Sequence, residues 1–211
     1  TERREERKKT INREMRKICV VGGGGAAGIC AIKHCLQNNL DVIGFEQTSS
    51  IGGTWVYTDE IGKDKHDLPI HSSMYRNLHT NLPKELMSFP DFPFPPQEKS
   101  YLPAAKVLTY LNSYVDTFSV RENIKFQHHV IRVRPLPEGN MWEVLVRNLI
   151  SNLDEIFNFD AVLLCHGHFS VPHTPHFVGR NAFKGRQMHS HDYRIPDNFA
   201  NERVLVIGGM I

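Results

Sequence analysis

The sequence predicts an α/β fold in which a parallel sheet with a helical crossover is joined to an antiparallel β-meander. Three observations predict it. The apolar run Ile18-Cys19-Val20-Val21 leads into a glycine cluster, a helix-forming stretch (Ala26–Asn38) and a second apolar run (Leu40–Phe45). A helical crossover between two buried strands makes them parallel. Asp160–Cys165 is a further apolar run with the composition of a buried strand, ending at His166-Gly167-His168. Lys125–Val133 and Met141–Arg147 read as two strands of a meander, joined across Pro135–Asn140, where Glu138-Gly139-Asn140 supplies the turn chemistry.

Composition narrows the classes. With 25 Lys+Arg against 23 Asp+Glu the formal charge is +2, so nothing demands nucleic acid or an acidic membrane as partner. The chain is 40% hydrophobic and 23% charged, which argues against wholesale disorder in its 211 residues. The longest stretch without a charge or histidine, Ile18–Ile32, is 15 residues long with five glycines, too short and too glycine-rich to span a bilayer. No secretory signal is visible, but the chain starts at Thr1, which leaves a preceding segment, and membrane association, open. Cys19, Cys30, Cys35 and Cys165 form no CxxC pair. They read as four reduced, buried thiols in a reducing compartment, cytoplasmic or microsomal, with secretion left open by the incomplete N-terminus.

Other elements follow in order. Residues 1–17 carry eight Lys/Arg and four Glu and read as a solvated arm, since no apolar face accompanies the charges. From Gly52 to Ser100, prolines at 69, 83, 90, 93, 95 and 96 break regular structure, while Trp55, Tyr57, Tyr75, Phe89, Phe92 and Phe94 argue for a packed segment. Pro103–Phe118 reads as a helix with Pro in its first turn and Val107, Leu108, Leu111, Tyr114, Val115 and Phe118 on one face. Arg203–Ile207 reads as a last strand, and Gly208-Gly209 as the turn after it. The expected domains are a charged arm (1–16), a dinucleotide-binding domain (17–202), and the first strand and turn of a second such domain, cut off (203–211).

The chemistry begins in Val20–Gly28. Read as GxGxxG, the frame is Gly23, Gly25 and Gly28, preceded by a strand and opening a helix. The first glycine permits the tight turn, the second lets a pyrophosphate touch the backbone, and the third lets helix and strand pack closely. The helix start offers free N–H groups and the positive dipole end to the phosphates. Glu46 ends the second strand 18 residues after Gly28, placed to accept both hydroxyls of a ribose. Four glycines in a row lengthen the usual strand-to-first-glycine spacing by one residue in this frame. Ile51-Gly52-Gly53-Thr54-Trp55 lets the chain pass close to a flat cofactor, with Trp55 as a wall. His128-His129, His166-x-His168 and His189-x-His191 lack a sensibly spaced third ligand, so no metal site is expected.

With these motifs the sequence resembles the flavin-containing monooxygenase family, class B flavoprotein monooxygenases, and its GGTW form is most similar to insect members. Phe183–Tyr193 fits the family pattern FxGxxxHxxxY at every fixed position, with Arg194 following. Thr80-Asn81-Leu82-Pro83-Lys84-Glu85 and Phe89-Pro90-Asp91-Phe92-Pro93-Phe94 are similar to its TNxPKE and FPDFPF segments, and Val204–Gly209 to the start of its NADPH domain. The resemblance covers nearly the whole chain. It implies a Rossmann-type FAD-binding fold, the cofactors FAD and NADPH, and oxygenation of a small nitrogen- or sulfur-containing substrate by O2 through a C4a-hydroperoxyflavin.

It also implies roles. Gly23, Gly25, Ala26, Ala27 and Gly28 would cradle the FAD pyrophosphate, and Glu46 would hold its ribose. Thr54 and Trp55 would line the flavin, with Leu82 a further contact. The backbone of Val130 would meet the adenine. Thr80 and Asn81 would lie between flavin and nicotinamide, with Asn81 the catalytic residue, its amide able to donate and accept without titrating. His189 would structure the entrance to the NADPH domain. Ala26-Ala27 replaces the Pro-Ser of many members, and Gly208-Gly209-Met210-Ile211 does not continue as GxSG. Two alternatives stand beside this reading. One is another two-dinucleotide flavoprotein such as a disulfide reductase, although Cys30 and Cys35 lie in the helix upstream of Glu46. The other is a truncated, catalytically inactive flavin-binding fragment.

Overall fold

A computed structural model describes residues 15–96, 99–137 and 139–208. Most of the charged arm, Glu138 of the predicted turn and residues 209–211 of the predicted glycine turn lie outside the described residues. The stretch read as one domain forms two compact units, one comprising the chain up to Gly53 with Tyr110–Gly167, the other Thr54–Thr109 with the chain from His168 onward.

In the first unit, β1 (Lys17–Val21), α1 (Ala26–Gln37) and β2 (Asp41–Glu46) form the predicted crossover. β3 (Ile124–Phe126) and β7 (Ala161–Leu164) complete a parallel sheet of order β3-β2-β1-β7, in register Ile18↔Val42, Ile18↔Ala161 and Gly44↔Ile124. β4 (His128–Pro135), β5 (Trp142–Asn148) and β6 (Leu153–Phe159) form the antiparallel meander in that order.

Strand alternation assigns the two faces of the parallel sheet. Cys19, Phe45, Val144, Val146 and Phe159 make one buried cluster, with Val21, Ile43, Val130, Val133, Phe157 and Val162 packed on it, so one face of the sheet covers the meander. The other face carries Gly44, where an added Cβ would lie 2.6 Å from Cδ1 of Ile32 in α1. The helix therefore sits on β2 because Gly44 leaves room for it. Ile29 and Ile32 are fully buried, and each side chain stabilises the fold by about 2 kcal/mol through burial.

Four expectations need correction. The predicted strand Lys125–Val133 is two strands, because Gln127 between them adopts a left-handed φ of 54°. Its N–H donates to Thr48 O and its carbonyl accepts from Leu149 N, so β3 joins the parallel sheet while β4 turns away into the meander. The meander also has a third strand, β6, whose alternation is masked in the sequence because Leu153 and Ile156 face solvent while Phe157 and Phe159 turn inward. Arg203–Ile207 forms no strand. Val204–Ile207 are exposed, and no described strand lies alongside to take their backbone hydrogen bonds. Finally, all four cysteines are free, but only Cys19 and Cys35 are buried, Cys30 and Cys165 being half-buried. Burial pushes the Cys19 thiol up to about 12, which suits an inert core group.

The second unit is built largely of turns, as its prolines predict. It contains the short helix α2 (Lys84–Met87), 3₁₀ turns at Arg180–Ala182, Ser190–Asp192 and Pro196–Phe199, and isolated bridges such as His79↔Pro103. The chain passes from this unit to the other within α3 (Ala104–Thr117), on which Val107, Leu111, Tyr114 and Val115 of the predicted stripe are buried together with Tyr110.

Candidate dinucleotide site

Of the four glycines after β1, Gly22, Gly23 and Gly24 are each required by a different neighbour, as is Gly28 in the helix that follows. Gly22 has φ of +81°, and a Cβ there would lie 2.6 Å from the Cys165 carbonyl at the end of β7. At Gly23 a Cβ would press to 3.0 Å on the Gly44 backbone. Gly22 and Gly23 both donate to Phe45 O, at 3.0 and 2.9 Å, which folds the turn over the end of β2. At Gly24 a Cβ would lie 2.8 Å from Cγ and Oε2 of Glu46. Gly28 lets α1 lie on the turn, since a Cβ would approach the Gly22 carbonyl to 2.1 Å.

Gly25 is different. Its φ is −77°, open to any residue, and an added Cβ would meet nothing nearer than Gly22 O at 3.8 Å. The chain itself has no need of glycine at Gly25. Gly25 is the N-cap of α1, has no side chain to cap the helix, and no acidic residue follows in the first turn. Ile29 N donates to Gly25 O at 3.0 Å as the first helical bond, so the N–H groups of Ala26, Ala27 and Gly28 precede the helical ladder. A backbone bare of side chains, at the positive end of a helix, fits an anion such as a pyrophosphate.

Glu46 is 5% exposed and lies under this turn. Its Oε2 accepts from Gly24 N at 3.0 Å, and its Oε1 from Thr48 N and Thr48 Oγ1, both at 2.9 Å. A carboxylate has about four lone-pair sites and three are taken, so about one remains for a hydroxyl donor. Gly52 N donates to Gly24 O at 2.9 Å, fastening Ile51–Gly53 to the same turn. Val130 of β4 pairs with Val146 of β5, and its side chain packs on the core. β4 is an edge strand with a bulge between Val130 and Arg132, so no described strand takes up the backbone groups on its outer side.

Sequence reasoning missed Gly22, Gly24 and Gly44, because their need for glycine comes from Cys165, Glu46 and Ile32, all distant in sequence. Gly24→Ala is expected to push Glu46 out of place. The variant should keep its fold and lose roughly tenfold in adenosine-ligand affinity, a change checked by ADP titration beside a thermal melt.

The second unit holds the other predicted residues. Thr80 is buried, exchanging bonds with Leu102: Thr80 N donates to Leu102 O at 2.8 Å and Leu102 N to Thr80 Oγ1 at 3.0 Å. Lys84 N donates to Ser100 O at 2.7 Å, so both ends of Asn81–Pro83 are anchored. Asn81 is exposed, and its amide makes no hydrogen bond among the described residues; Leu82 is also exposed. Thr54 and Trp55 occupy a 3₁₀ turn that starts at Gly53, with Thr54 exposed and Trp55 partly buried. His189 caps the turn Ser190–Asp192, its Nδ1 accepting from His191 N at 3.0 Å. Of the other paired histidines, His128 Nδ1 lies 2.6 Å from Phe126 O and His129 Nδ1 3.0 Å from Gln47 Oε1. Among the described residues no three His, Cys, Asp or Glu side chains converge as a metal site.

A parallel β3-β2-β1-β7 sheet, a glycine turn at a bare helix N-terminus and an acid ending β2 define a dinucleotide-binding protein. The family model described as flavin-binding monooxygenase-like matches residues 15–210, and the chain belongs to that family. It is 40% identical over 211 residues to flavin-containing monooxygenase FMO GS-OX-like 1 of Arabidopsis thaliana, covering 94% of this chain and 44% of the relative. The solved structure of S-allyl-L-cysteine S-oxygenase from Allium sativum matches with a TM-score of 0.79 at 33% identity, over 88% of this chain and 44% of that one. Tmm from Pelagibacter sp. strain HTCC7211 matches with a TM-score of 0.79 at 30% identity, over 87% and 43%. The chain thus spans under half the length of these relatives.

Proposed function

We propose that this chain supplies the FAD-binding part of a monooxygenase that draws electrons from NADPH and puts one oxygen atom of O2 into a small nitrogen- or sulfur-containing substrate. The observation that carries the reading is Gly25, a glycine that the chain's own packing does not require, at the uncapped start of α1. Family membership supports the flavin, and the similarity to an S-oxygenase supports a soft nucleophile as substrate. Bound FAD supplies the redox and oxygen chemistry; the protein supplies orientation and exclusion of water.

The residues divide the work. Gly23, Gly25, Ala26, Ala27 and Gly28 hold the pyrophosphate against the helix start. Glu46 holds the ribose through its remaining acceptor site, and the outer backbone edge at Val130 reads the adenine. Thr54, Trp55 and Leu82 meet the flavin. Thr80 and Asn81 serve flavin and nicotinamide, Asn81 offering an amide that both donates and accepts at any working pH. A cytoplasmic or microsomal setting suits the free thiols.

Titration of the purified chain with FAD, followed by flavin fluorescence, tests the assignment. ADP should displace the bound FAD, and FMN should not, because affinity resides in the adenosine and pyrophosphate half. Displacement by FMN as effective as that by ADP would place the flavin elsewhere.

A further inference from the structure

Arg194 is 6% exposed and hydrogen-bonds to no carboxylate among the described residues, although, after the hydrogen bond from Tyr57, its charge helps lower the pKa of Asp59. A buried cation is costly unless its donors are all satisfied. Here they are. Nε and Nη2 donate to Glu60 O at 3.3 and 3.0 Å, Nη2 also to Ser72 O at 3.1 Å, and Nη1 to His191 O and Tyr193 O at 2.7 and 3.1 Å. A guanidinium has five N–H groups, and each of these contacts uses one. The acceptors come from three separate parts of the same unit: Glu60, Ser72 and the His191–Tyr193 turn.

Ser72 carries the arrangement further. It is buried, and its hydroxyl lies within hydrogen-bonding reach of two carbonyls, Thr54 O at 2.9 Å and Val56 O at 3.1 Å, on either side of Trp55. Its oxygen also accepts from Met74 N at 3.3 Å. Arg194 fixes the Ser72 backbone, and Ser72 fixes the backbone that carries Thr54 and Trp55. We infer that Arg194 is a positioning residue for the Thr54–Trp55 pair, acting through Ser72, and that the segment after the FxGxxxHxxxY motif thereby sets the wall presented to the flavin ring. This rests on the reading of Thr54 and Trp55 as flavin-lining residues. A lysine cannot replace the arginine, because three donors on one nitrogen cannot reach four carbonyls spread around a planar fork.

The test uses Arg194→Lys, Ser72→Ala, the double variant and Trp55→Leu, each assayed for FAD affinity, ADP affinity and quenching of bound-flavin fluorescence. Arg194→Lys should lose about tenfold in FAD affinity, with weaker quenching and ADP affinity within about twofold of the parent. Ser72→Ala should shift the same two readouts, and the double variant should be no worse than Arg194→Lys alone, since both act along one path. Equal loss of FAD and ADP affinity, or no change in either, would overturn the proposal, as would additive effects in the double variant. If Arg194→Lys fails to fold by circular dichroism, the selective loss of FAD over ADP in Ser72→Ala decides. Unchanged FAD affinity and quenching in Trp55→Leu would instead overturn the flavin-lining reading, and the proposal with it.

Discussion

Gly25→Val is expected to leave a folded protein that holds no flavin. Residue 25 has an ordinary φ of −77°, and an added Cβ would meet no atom of the chain nearer than 3.8 Å, so a side chain can begin there without backbone strain. It would stand over the N–H groups at the start of α1, where the proposed pyrophosphate approaches the backbone. Loss of that approach removes several charge-assisted hydrogen bonds at once, so FAD affinity should drop by about a hundredfold or more. Thermal melting should change little, because a valine at an N-cap in place of glycine costs only about 1 kcal/mol. Gly28→Val is the contrast, since its Cβ would lie 2.1 Å from Gly22 O and the fold itself should fail. Bound-flavin absorbance beside a circular-dichroism melt reads both. A Gly25→Val protein with normal flavin content would mean that the cofactor lies elsewhere.

The second large effect is expected at Asn81. Its amide is exposed and uncommitted, between Thr80 and Lys84, whose backbones are fastened to Leu102 and Ser100. A side chain without an internal partner, carried between two anchored backbone positions, is suited to an external one. In a chain of its relatives' length, Asn81→Ala should retain FAD and still oxidise NADPH at a comparable rate. Product per NADPH should fall by about tenfold or more, the electrons leaving instead as hydrogen peroxide, because one positioned hydrogen bond in a dry site has about that weight. Parallel assays of NADPH, product and peroxide measure the ratio. An unchanged ratio would remove Asn81 from the chemistry.

What could be read from the sequence was local. Val20–Gly28 followed by Glu46 announces strand, turn, helix, strand and acid in one short stretch, because the order of apolar run, glycines, helix formers and acid is itself the signal. The helix Ala104–Thr117 was likewise written in its apolar stripe. What escaped depends on partners far along the chain. Gln127 gives no composition signal that it will turn left-handed, and only its bonds to Thr48 and Leu149 require it. The strand at Leu153–Phe159 hid its phase behind exposed Leu153 and Ile156. The apolar run at Arg203–Ile207 looked like a strand, but a strand is a property of two segments, and no described neighbour accompanies it. At the site, Thr80 and Asn81 were legible only as a motif; that one is fixed and the other free emerges from the bonds to Leu102.

The pairing of β1 with β7 also sets a timetable for folding. Lys17 N is bonded to the Asp160 carboxylate across 143 positions, and the Gly22 turn is closed on its far side by the Cys165 carbonyl. During synthesis the ribosome releases the glycine turn and Glu46 long before it releases their closing strand. The local crossover can assemble early, since its contacts span few residues, but closure by β7 must await a long loop and its entropic cost. The finished glycine turn is therefore a late product of folding, and FAD bound there as proposed should act as a trap for the completed sheet, slowing its reopening, rather than as a template for its first turn.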